Sequence, residues 1–146
     1  MKNRIDQAVK DAMRSGDEVT KRTLRLVLAA IKQSEVDQRE DLDDTAVFAI
    51  LQKEVKTRLE SMEDAKKADR SDLIQELEEE IEVLKKFLPE EMDDEALKDM
   101  AEAAIAEVGA ATPADMGSVM KVLIPRVQGR APGSRISQVV RTLLQN

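Results

Sequence analysis

From Ile5 to Leu144, apolar residues recur at spacings of three and four, and no stretch alternates with period two. A half-buried strand needs that alternation, whereas a helix buries one stripe of a 3.6-residue repeat. The chain is therefore expected to be all-α. Its apolar residues are chiefly Leu, Ile, Val, Met and Ala, and Phe48 and Phe87 are the only aromatics. Such a composition suits helix-on-helix packing.

Seven helices are expected. The first runs from about Lys2 to Arg14, with Ile5, Ala8, Ala12 and Met13 inward and Gly16 as its C-cap. Asp17 caps the second, to about Asp37, whose stripe is Leu24, Val27, Leu28 and Ile31. Asp43 caps the third, with Val47, Ile50, Leu51, Val55, Leu59 and Met62 inward. Ser71 is expected to cap the fourth, which buries Leu73, Ile74, Leu77, Ile81, Leu84 and Leu88. Asp93 and Gly109 bracket the fifth. Thr112, Pro113 and Asp115 form a start signal for the sixth, and Pro125 is expected to end or kink it. In the seventh, Ile136, Val139, Val140, Leu143 and Leu144 make one apolar stripe.

All four prolines and four of the five glycines lie beyond Leu88. That shift predicts a boundary between an N-terminal four-helix subdomain, 1–88, and a C-terminal three-helix subdomain, 89–146.

The missing residue types exclude much chemistry. There is no histidine or cysteine, hence no thiol catalysis, no Ser-His-Asp triad, no disulfide and no ordinary zinc site. No glycine pattern of the dinucleotide or P-loop kind occurs. No catalytic residue, cofactor or metal is expected. Without Trp or Tyr there is no aromatic platform for stacking bases, so any nucleic acid would be held by phosphate, shape or groove contacts. No apolar run nears the roughly 20 residues that span a bilayer, and the N-terminus lacks the apolar segment of a signal peptide. A soluble cytoplasmic protein with no membrane partner is the resulting expectation.

Charge singles out the C-terminus. The chain carries a formal −7, yet Met116–Asn146 holds five basic side chains and no acidic one. These are Lys121, Arg126, Arg130, Arg135 and Arg141, and such a segment is expected to face an anion. Gly129 can turn the chain in the left-handed conformation, after which Arg130 and Arg135 bracket the start of the last helix, where free amides carry partial positive charge. This is either a phosphate site or a solvated basic loop. Lys21, Arg25 and Lys32 share a face of the second helix, either as a second phosphate strip or as long side chains lying over the edge of the core. Gly117, inside a helical pattern, marks close approach of a neighbouring helix or of a ligand. The run Glu76 to Glu82 reads as a solvated helix face, and Met100, Met116 and Met120 as core filling.

The segment ADMGSVMKVLIPRVQGRAPGSRISQVVRTLL resembles the C-terminal signature of the GatB/YqeY group. Upstream, LRLVLAAIKQSE and EVKTRLESMEDAKKADRSDLIQELEEEIEVLKKFLP are similar to YqeY-like proteins, so the resemblance runs from about Arg4 to Leu144. It implies an all-helical fold whose second subdomain is similar to the tail of the GatB component of aspartyl/glutamyl-tRNA amidotransferase. That tail serves tRNA recognition, while the carbon–nitrogen ligase chemistry, with glutamine as nitrogen donor, lies elsewhere in that enzyme. The positions that carry over are Met116–Gly117, Met120 and Gly129–Arg130. Many relatives have an acidic residue where this chain has Pro132, which leaves the cap of the last helix open. The resemblance thus implies a tRNA-associated accessory protein, non-catalytic alone, with tRNA and an aminoacyl-tRNA synthetase or amidotransferase as partners. Without the resemblance, the basic tail would equally fit an acidic protein surface and no RNA.

Overall fold

The computed structural model describes residues 1–145. Among them are seven α-helices, one 3-10 turn and no strand. The helices are α1 (Lys2–Ser15), α2 (Glu18–Gln38), α3 (Asp44–Lys67), α4 (Ser71–Lys85), α5 (Asp94–Val108), α6 (Met116–Val127) and α7 (Gly133–Gln145), with the turn at Pro113–Asp115. The fold is all-α, as the periodicity requires. The chain divides into two compact units, Met1–Leu88 and Pro89–Asn146.

In the first unit, Gly16 takes φ 76° and donates its amide to the Ala12 carbonyl, closing α1. Asp17 accepts the Thr20 amide at 3.1 Å, and Asp43 accepts the Ala46 amide at 2.9 Å, starting α2 and α3. Ser71 does not cap α4. Asp69 turns the chain at φ 54°, so Arg70 takes the cap position and Ser71 is already helical. Its hydroxyl is therefore not placed to cap, and the Arg70 guanidinium holds Asp72 instead. Glu35 joins three segments by accepting from Lys2 Nζ at 2.7 Å and from the Leu42 amide at 2.9 Å. Those bonds, Lys2 foremost, hold its carboxyl below the usual range.

The first core takes Ile5 and Val9 from α1, Leu24, Val27 and Ile31 from α2, Val47 and Leu51 from α3, and Val83 and Leu84 from α4. Three residues expected inward are exposed: Met13, Leu59 and Leu73. On α3 the buried line is Val47, Leu51, Arg58 and Ala65, and Leu59 sits about 100° round the helix from Arg58. In the second unit, Leu97, Ala101 and Ala104 of α5 pack with Val119, Leu123 and Val127 of α6 and with Ile136, Val140 and Leu144 of α7. Met100, Met116 and Met120 lie partly buried against this core. α6 continues two residues past Pro125, so the proline falls in its last turn, where little helix remains to disrupt.

Periodicity gave no sign of an ion cluster inside the first unit. Arg58 is 7% exposed and Glu80 8%, so part of the acidic run on α4 is buried rather than solvated. Arg58 Nη1 donates to Glu54 Oε2 at 2.6 Å, and its Nε lies 3.4 Å from Glu80 Oε2 without hydrogen-bond alignment. Arg22 stands 3.6 Å from the other Glu80 oxygen and 3.0 Å from Glu76. Beyond the apolar core, α2, α3 and α4 are thus held by charge. Removing one member leaves a buried charge uncompensated, whereas replacing both by apolar groups does not. Arg58→Ala should cost about 3 kcal/mol in urea unfolding followed by circular dichroism. The double variant Arg58→Met, Glu80→Leu should unfold within about 1 kcal/mol of the parent.

Candidate nucleic-acid interface

The basic segment begins at a capping box. Asp115 Oδ2 accepts the amides of Ala111 at 2.9 Å and Thr112 at 3.2 Å, with Thr112 completing the box. Those two amides, Ala111 first, hold the Asp115 carboxyl below its usual range. α6 buries Val119, Leu123 and Val127, and Gly117, Ser118, Lys121 and Pro125 are exposed. Gln128 and Gly129 then turn the chain at φ 54° and 78°. Only glycine takes that conformation without cost, so Gly129 fits its place and Gln128 carries modest strain.

The loop after this turn is anchored. The Arg130 carbonyl accepts the Met92 amide at 2.9 Å, Arg130 Nε donates to the Glu90 carbonyl at 3.1 Å, and Ala131 is buried. α7 starts at Gly133, and the amides of Arg135 and Ile136 both close on the Pro132 carbonyl. Pro132 therefore marks the start of α7, which settles its cap position. The Ile136 bond is the first regular helix bond, and the Arg135 amide, which the helix start could have offered to an anion, is already engaged.

The predicted cations separate into two sets. Arg126 pairs with Glu107, Arg135 pairs with Asp94 at 2.6 Å, and Arg130 is turned onto a backbone carbonyl. Lys121 on α6 and Arg141 on α7 are exposed and have no ion pair among the described residues. The groups that engage the first set belong to α5 or the segment before it, outside the acid-free stretch. Residues 89–146 hold six basic and nine acidic side chains, a net −3. The sequence count saw a basic tail but could not see that α5 packs beside it. Along the first unit's α2, Lys21 pairs with Glu18 at 2.9 Å. Arg25 Nη2 contacts Met13 Sδ at 3.6 Å, and Lys32 is exposed; neither has a carboxylate partner among the described residues.

Gly117 has an unexpected setting. It is exposed, its φ is not left-handed, and a Cβ built on it meets nothing within 4 Å. No neighbouring helix within this unit requires a glycine there, so the packing explanation falls away. Gly133 is likewise open.

These features define an all-helical protein whose second unit is a three-helix bundle with an acid-free α6–α7 pair. The chain belongs to the YqeY-like family, whose profile, described as Yqey-like protein, matches residues 2–144. Relatives named altered inheritance of mitochondria protein 41, mitochondrial, occur in several fungi. That of Lachancea thermotolerans is 40% identical over 85 residues, 58% of this chain and 46% of the relative. That of Eremothecium gossypii is 35% identical over 58% of this chain and 46% of the relative. That of Pyrenophora tritici-repentis is 27% identical over 90% of this chain and 73% of the relative. The chain thus spans about half the length of the first two relatives. These names overturn the expectation of a cytoplasmic protein. Among the described residues no helix is long and apolar enough to cross a membrane, but that property does not select a compartment.

Asp115 supplies a pH signature. Its folded pKa lies below the unfolded one, so its stabilisation is present above about pH 4 and is lost as pH falls through the folded value. Asp115→Asn should lower the thermal midpoint at neutral pH. Its stability curve should converge with that of the parent once pH has fallen below the folded-state value, measured by circular dichroism melts across pH.

Proposed function

We propose that this chain is a tRNA-associated helical accessory protein, linked to glutamine-dependent tRNA amidation and not catalytic by itself. The observation that carries this reading is the outer surface of α6 and α7, where Lys121 and Arg141 are free of ion pairs in a segment without any acid. The resemblance of the same segment to the tRNA-contacting tail of the amidotransferase's GatB component supports the direction. Gly117 adds to it. A glycine inside a helix costs about 1 kcal/mol against alanine, and no neighbour here accounts for it. Close approach of a ligand backbone does. RNA suits such a surface because it offers phosphates and 2′-hydroxyls by shape, with no need for base stacking.

Contacts would come first from Lys121 and Arg141, with Arg130 beside Gly129. Arg126 and Arg135 join by leaving exposed carboxylates, exchanges that cost little. The strip of Lys21, Arg25 and Lys32 on α2 is not needed for this reading, and Lys21 is already paired with Glu18. An aminoacyl-tRNA synthetase or amidotransferase would supply the chemistry. The competing reading is an interaction module that docks an acidic protein without RNA. The net −3 of residues 89–146 lowers the affinity for either anionic partner, so the two readings are separated by experiment rather than by net charge.

Binding of tRNA to the full chain should weaken with salt, with a log–log slope of about −2 to −3 for three phosphate contacts. Lys121→Glu and Arg141→Glu should each reduce that slope by about 1. Gly117→Ala should raise stability by about 0.5 to 1 kcal/mol while weakening tRNA binding. Absence of salt-dependent tRNA binding by the parent chain would leave the acidic-protein reading in its place.

A further inference from the structure

A second surface, on the first unit, is unlike the one above. From Val19 to Ser34, α2 has no acidic residue, although the chain holds 30 in 146. Its outward side carries exposed apolar groups as well as cations. Leu26 is 52% exposed and Val36 63%, and Met13, brought beside Arg25, is 56% exposed. These are three of the five large apolar side chains most open to solvent among the described residues. At 100° per residue, Leu26, Ala29 and Val36 fall within about 80° of one another on α2. Arg25 and Lys32 run along one border of that band, and both lack a carboxylate partner among the described residues. Ala29 is exposed and leaves room beside Leu26 for another helix to come close, and Gln33, bonded to Asp37, lies one turn further on before Val36.

We propose that this face of α2 docks an acidic amphipathic helix of a partner protein. The partner's apolar side chains would sit over Ala29 between Leu26 and Val36, and its carboxylates would meet Arg25 and Lys32. Charge complementarity selects an acidic occupant, because Val19–Ser34, which carries Arg25, Leu26, Ala29 and Lys32, is the longest acid-free stretch of the first unit in a chain of net −7, with Asp37 only at the Val36 end. The apolar groups select protein over nucleic acid, since sugar–phosphate gives Leu26, Val36 and Met13 nothing to pack on and no aromatic is present to stack a base. They also argue against an anionic lipid surface, which is gripped by deeper apolar faces rich in Trp, Phe and Leu. The surface is independent of the proposed tRNA contacts on α6 and α7.

The test uses the full chain and a fluorescent synthetic helical peptide of about 18 residues, five turns, with a Leu/Ala stripe bordered by glutamates. Saturable binding by anisotropy is expected, weakened about tenfold or more by Leu26→Glu and by Lys32→Glu, and unchanged by Lys121→Glu. Both α2 positions are exposed, and circular dichroism checks that helicity is kept. Thermal melts provide the second check on folding. The proposal is overturned if the peptide fails to bind, if a lysine-bordered peptide binds as well, or if the α2 variants leave peptide binding intact. It is equally overturned if those variants abolish binding to tRNA or to phosphatidylserine vesicles while the peptide is unaffected. Loss of tRNA binding in Lys121→Glu with peptide binding retained separates this surface from the other.

Discussion

The second unit turns on a short tether between two loops. The Met92 amide donates to the Arg130 carbonyl, Arg130 Nε donates to the Glu90 carbonyl, and Met92 and Ala131 are both buried beside them. These few bonds bring the start of α5 against the turn between α6 and α7. That placement sets Asp94 next to Arg135. α7 begins directly after the tether, with Ala131 buried and the Pro132 carbonyl accepting the first helix amides. The helices could keep their apolar stripes without this tether, but the ends of α5 and α7 would lose their fixed approach.

The two units are held by different means. In the second, three helices meet through an apolar core built from small and branched side chains. In the first, the apolar core serves one end of the α3–α4 pair, and Arg58, Glu80, Glu54 and Arg22 serve beyond it. Of these, Arg58 and Glu80 are buried and tolerate little change in either partner, because desolvated charge has nowhere else to go. Apolar packing, by contrast, accepts substitutions of similar volume.

Much of this architecture is legible in the sequence. The helix type, the caps at Asp17, Asp43 and Asp93, and the turn at Gly129 follow from local chemistry, which acts over a few residues. Ser71 misled because a left-handed Asp69 moved the helix start by one position, a choice that local preference leaves open. The candidate surface was only half legible. Five basic residues in a run without acids are plain to see, but their partners Glu90, Asp94 and Glu107 come from a helix and loop earlier in the chain. Separation along the sequence hides such neighbours. Exposed Leu26 and Val36 were recoverable in principle, as apolar residues lying off the Leu24–Val27–Ile31 line.

The pairs Arg126–Glu107 and Arg135–Asp94 have a consequence for selectivity. Each arginine is already satisfied by an acid on its own unit, at the surface, where such a pair is worth about 0 to 1 kcal/mol. A lone phosphate offers each arginine scarcely more than it already has. Under the proposal above, a ligand with many phosphates would displace both carboxylates while also meeting Lys121 and Arg141. On the proposed tRNA reading, the acids of α5 would therefore compete weakly, with more effect against a single small anion than against a long polyanion.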